Sequence, residues 1–136
     1  MRAVLDVNVL VSALLSASGT PARLLRLWQA GAFESVVSPS LLAELRRALR
    51  YPRIERYVSP DQAERFVALL VASATVLPDA AGPPSVRSRD PGDDYLIALA
   101  EATGAYLVSG DVHLLELENR PAIMSAADFA GVFDTS

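Results

Sequence analysis

The chain has 136 residues, of which 51% are hydrophobic and 21% charged, with a formal net charge of −4. That balance is globular, and the length suits a single domain over 1–136. There is no cysteine, one histidine (His113), and every one of the twelve basic residues is arginine, which excludes disulfides, thiolate or multi-histidine metal sites, Walker-A phosphate binding and Schiff-base chemistry.

Ala3-Val4-Leu5 reads as a first strand. Asp6 follows it, and a helix starts near Val7. Thr20-Pro21 gives an N-cap and first helical residue, and Gly31 closes that helix. Ser35-Val36-Val37 is a second strand. Ser38-Pro39 opens a helix that runs to about Arg50. Ser59-Pro60-Asp61-Gln62 is a capping box, and its helix leads to a third strand near Thr75-Val76-Leu77. Asp79 to Pro84 is loop chemistry. Asp90-Pro91 starts a helix that Gly104 ends. Tyr106-Leu107-Val108 is a fourth strand and Ile123-Met124 a fifth. Strands alternating with helices predict an α/β fold, a parallel sheet covered on both faces.

The longest apolar run, Phe66 to Ala72, is far short of the roughly 20 residues of a membrane span. Asp6 and Asn8 interrupt the apolar N-terminal stretch, which therefore reads as mature protein with a cytoplasmic location.

Ligands of parallel sheets sit beyond the carboxyl ends of the strands. That rule selects Asp6 after the first strand and Asp111 after the fourth, beyond Ser109-Gly110. Each acid has an ordinary explanation as well. Asp6, Asp90 and Asp111 suit helix caps, and Asp93 and Asp94 suit a first helical turn. Glu44 is more informative. Leu41, Leu42, Leu45, Ala48 and Leu49 form one apolar arc, and Glu44 falls about 40° outside it, at the border of the core. Acids converging from different elements repel one another without a cation. Hard oxygen donors without His or Cys favour Mg²⁺ or Mn²⁺, a site suited to phosphodiester hydrolysis.

Four segments then carry a family resemblance: Val4-Leu5-Asp6-Val7-Asn8-Val9-Leu10-Val11-Ser12-Ala13-Leu14, Ser38-Pro39 through Glu44-Leu45, Asp90-Pro91-Gly92-Asp93-Asp94-Tyr95-Leu96-Ile97-Ala98-Leu99-Ala100, and Leu107-Val108-Ser109-Gly110-Asp111-Val112-His113-Leu114-Leu115. In this order they resemble the PIN domains, specifically the VapC-like toxin ribonucleases of bacterial toxin–antitoxin systems. The resemblance implies a five-stranded parallel sheet of order 3-2-1-4-5 flanked by helices. It also implies four acids around one or two divalent metals, at positions Asp6, Glu44, Asp94 and Asp111. Asn8, Ser109 and Asp93 are supporting positions. The family often has Thr where this chain has Val7, and Thr where it has Ser109, which keeps the hydroxyl. The implied activity is Mg²⁺- or Mn²⁺-dependent endoribonuclease cleavage. The expected partners are RNA, a cognate antitoxin protein and a second copy of the chain.

Arg46, Arg47 and Arg50, with Arg53 and Arg56 beyond, form either a solvated helix face or a surface for RNA phosphate or an acidic partner. His113 reads as a surface or structural residue, and Trp28 and Tyr95 as core residues. Two other functions remain open. One is an aspartyl-phosphate enzyme, against which the missing Lys and Asn8 argue. The other is a catalytically weak module that binds RNA or protein.

Overall fold

Short runs that are apolar at every position make strands buried on both faces. Short, mostly apolar runs of this kind, opened by a polar residue in β1 to β3, form β1 (Arg2–Leu5), β2 (Glu34–Val37), β3 (Thr75–Val76), β4 (Tyr106–Val108) and β5 (Ile123–Met124). The computed structural model describes residues 1–84, 91–117 and 122–134. It pairs the strands in one sheet of order β3-β2-β1-β4-β5, with every ladder parallel. The expected architecture and strand order are therefore present. Ala3, Val4, Leu5, Val36, Leu107 and Val108 are fully or almost fully buried in its two central layers of contact.

The helices are α1 (Val7–Leu15), α2 (Thr20–Gln29), α3 (Pro39–Ala48), α4 (Pro52–Glu55), α5 (Pro60–Ser73), α6 (Asp94–Thr103), α7 (Val112–Leu115) and α8 (Ala126–Gly131). Their ends follow capping chemistry. The Ser38 hydroxyl accepts the Leu41 amide at 3.3 Å, which fixes the start of α3 and hence the direction of Glu44. Ser59 and Gln62 form the expected capping box at α5. Gly104 ends α6 at φ +67°, a left-handed conformation that suits glycine.

Two local expectations are corrected. α2 begins at Thr20, with Gly19 as N-cap, because the Gly19 carbonyl already accepts the Arg23 amide at 3.1 Å. The helix expected from Asp90-Pro91 starts instead as a 3-10 turn, Pro91–Asp93, and becomes α-helical only at Asp94. The short helices α4 and α8 lie in segments that periodicity did not assign, since one turn is too short to show a period. The proposed cap at Asp90 and the side chain of His113 fall outside the described residues. Trp28 is buried as expected, at 6% exposure. Among the described residues no helix is long and apolar enough to cross a membrane.

Candidate active site

The site lies at the carboxyl edge of the sheet, where β1 and β4 lie side by side. Asp6 leaves β1, its amide bonded to the Val108 carbonyl of β4 at 2.9 Å. It occupies the N-cap position of α1, and its backbone carbonyl accepts the Val9 and Leu10 amides. Its side chain makes no capping hydrogen bond. The carboxylate is spent elsewhere: Oδ2 accepts the Ser109 hydroxyl at 2.7 Å. Its side chain thus answers chiefly to Ser109, with the Asn8 and Val7 amides of the first turn of α1 nearby.

Ser109 is wholly buried and bridges two acids. It donates to Asp6, and its oxygen accepts the Asp111 amide at 3.0 Å. The hydroxyl thus orders the turn that carries Asp111 after β4. Asp111 also starts α7 with its carbonyl, which accepts the Leu114 and Leu115 amides. Its side chain is half-buried at this edge.

Asp6 is only 6% exposed. Burial pushes its carboxyl above the ordinary carboxylate value; the Ser109 bond and the nearby amides of Asn8 and Val7 oppose this, while the charge of Glu44 adds to it. Glu44 and Asp6 therefore act on each other across the gap between α3 and β1. Glu44 is half-buried, as its position at the edge of the apolar arc of α3 required. Asn8 is exposed, and its contribution here comes from the backbone amide. Val7 is buried at 3% and belongs to the core, so an apolar residue suits that position.

Tyr95 was expected in the core, and its ring does pack against it. Its hydroxyl, however, donates to Glu44 Oε2. Burial pushes the phenol strongly up, and the Glu44 bond and the charges of Glu44, Asp6 and Asp93 push it further. Tyr95 is the residue that sequence reasoning missed. A half-buried phenol needs a partner for its hydroxyl, and that requirement was the available signal.

Both Asp93 and Asp94 lie near Tyr95. Asp93 belongs to the groups acting on the Tyr95 hydroxyl, together with Asp6 and Glu44. Asp94 lines a hollow with Tyr95, Asp79, Ala80, Pro83 and Ala98. Asp93 occupies the N-cap position of α6 without a side-chain capping bond. The structure links Asp6 to Ser109 and to the charge of Glu44, Ser109 to the Asp111 amide, and Tyr95 to Glu44 and Asp93; Asp94 opens α6 directly before Tyr95.

Every donor here is a hard oxygen. Among the described residues, no three His, Cys, Asp or Glu side chains form a ready-made metal group. Magnesium does not need one, since it keeps several waters and takes one or two carboxylates. The mutual repulsion of Asp6 and Glu44, one of them buried, is what a cation would relieve. The residues present fit such an ion.

Arg46, Arg47 and Arg50 are all exposed. Arg46 and Arg50 border a cavity between α3, α4 and α5 that they share with Glu55 and Glu64. Arg47 lies roughly 60° from Glu44 around α3 and is the arginine nearest the site's side of that helix.

A parallel α/β sheet with acids gathered beyond the ends of its first and fourth strands defines the class. Residues 2–113 match the family model described as PIN domain, and the chain belongs to that family. An uncharacterized protein of Methanocaldococcus jannaschii is 26% identical over 119 residues, 88% of this chain and 76% of that protein. Two solved structures share the fold. PAE2754 from Pyrobaculum aerophilum superposes with a TM-score of 0.65 at 17% identity, covering 97% of this chain and 88% of its own. VapBC2 from Rickettsia felis, solved bound to a DNA fragment from their promoter, superposes at 0.61 with 16% identity, covering 92% of this chain and 97% of the other.

Proposed function

We propose that this protein is a divalent-metal-dependent endoribonuclease, the toxin of a toxin–antitoxin pair. The observation that carries the chemistry is the buried Asp6 carboxylate, bonded to the Ser109 hydroxyl and raised further by the charge of Glu44. PIN domains are nucleases in general, which sets the reaction class. The structural likeness to VapBC2 supports the toxin–antitoxin setting by fold alone.

Asp6, Glu44, Asp94 and Asp111 would hold Mg²⁺ or Mn²⁺, with Asn8, Ser109 and Asp93 as supporting residues. Bound there, the ion supplies an activated water and neutralises charge on the phosphodiester. Ser109 keeps Asp6 and the Asp111 turn in register. The other proposed features are a single domain over 1–136, a cognate antitoxin, a homodimer and a cytoplasmic location.

Purified protein should cleave single-stranded RNA with Mg²⁺ or Mn²⁺, stop in EDTA and resume when metal is restored. Full cleavage in EDTA would contradict the assignment.

The arginines give a second expected result. Converting Arg46, Arg47 and Arg50 to Gln should weaken RNA binding and lower the slope of log affinity against log salt by up to about 2 to 3, at roughly 0.7 to 0.9 per phosphate contact. Folding should change little, since all three are exposed. An unchanged salt slope would assign the surface to the solvent or to a protein partner.

A further inference from the structure

Tyr95 and Glu44 are 51 residues apart and lie on different helices. Their hydrogen bond ties the first turn of α6 to the middle of α3 across the carboxyl edge of the sheet. A glutamate at the border of a helix's apolar arc has three torsions and no reason of its own to favour one rotamer. The Tyr95 ring has two torsions, packs against the core and is therefore held more firmly than Glu44. Its hydroxyl engages Oε2, and a carboxylate has further lone pairs on both oxygens with which to meet a cation.

We propose that Tyr95 is a positioning residue, holding the Glu44 carboxylate in the orientation that faces Asp6 across the sheet edge. This rests on the reading of Asp6 and Glu44 as holders of a divalent ion. Tyr95 acts through Glu44, which it fixes before the ion arrives, so that less rotamer freedom is lost on binding.

The probe is Mn²⁺ alone, titrated into metal-free protein and followed by electron paramagnetic resonance. The variants are Tyr95→Phe, Glu44→Ala and the double variant. Phenylalanine keeps the packed ring and removes only the hydroxyl. Tyr95→Phe should weaken Mn²⁺ binding by about tenfold, the scale of one hydrogen bond to a charged group. In the Glu44→Ala background the same change should cost almost nothing, because its target is gone. Wild-type affinity in Tyr95→Phe would overturn the assignment. So would an equal loss in both backgrounds, which would mark a general effect on the fold. A wild-type protein that binds no Mn²⁺ would overturn the metal site itself, and the role of Tyr95 with it.

Discussion

Asp6→Asn should reduce RNA cleavage by at least about a hundredfold, the upper end of what altering a metal ligand's partners costs, and should raise the stability of the metal-free protein. The two effects share a cause. Asp6 is buried, and burial holds its carboxyl above the ordinary value despite the Ser109 bond. A raised folded-state pKa means that the charged form is disfavoured by folding. The group's stability contribution is full below its unfolded pKa and is lost as pH rises through the folded one. Metal-free wild-type protein should therefore lose melting temperature as pH rises from the ordinary carboxylate value through the raised one. Asp6→Asn should lose that part of the pH dependence. Asparagine can still accept the Ser109 hydroxyl, so the turn survives. Melting curves across pH, with and without Mn²⁺, check both halves. In the same series, Asp94→Asn should strongly reduce cleavage, while Asp93→Asn should leave most of it. Motif position favours Asp94, which precedes the buried Ile97 and Ala98 by three and four residues on α6.

Phe129→Ala should destabilise the protein by about 3 to 5 kcal/mol, the range for emptying a buried aromatic site. Phe129 on α8 is fully buried. Its ring meets Phe33 edge-on at 5.1 Å and Phe133 at 5.3 Å, with Tyr106 of β4 at 5.8 Å. These contacts join the start of β2, the start of β4 and the last helix, and α8 packs on α2. Small domains hold only about 5 to 15 kcal/mol in all, so the loss is a large share of the total. Urea unfolding of wild type and variant measures it. A change under about 1 kcal/mol would mean that α8 folds apart from the rest.

The sheet was legible because its strands are short, mostly apolar runs that alternate with helical segments. Val4-Leu5 before Asp6 and Leu107-Val108 before Ser109 place strand ends directly, and strand ends place acids. Glu44 was legible as a border residue from its angle to Leu41 and Leu45. α8 was not, because six residues give no period. Its start nonetheless carried a signal, Ser125 followed three residues later by Asp128, whose amide does bond the Ser125 hydroxyl at 3.1 Å. The Tyr95 contact was illegible for another reason. Its partner lies on a different helix, and local spacing says nothing of which helices face each other across a sheet edge.

The most direct test of the Asp6 site is a Mn²⁺ titration of the metal-free wild type beside Asp6→Asn. Wild type should bind with saturable affinity and cleave RNA in proportion to its occupancy, while Asp6→Asn, though folded and more stable without metal, should bind at least about tenfold more weakly. Equal binding by the two proteins would contradict a metal site built on Asp6.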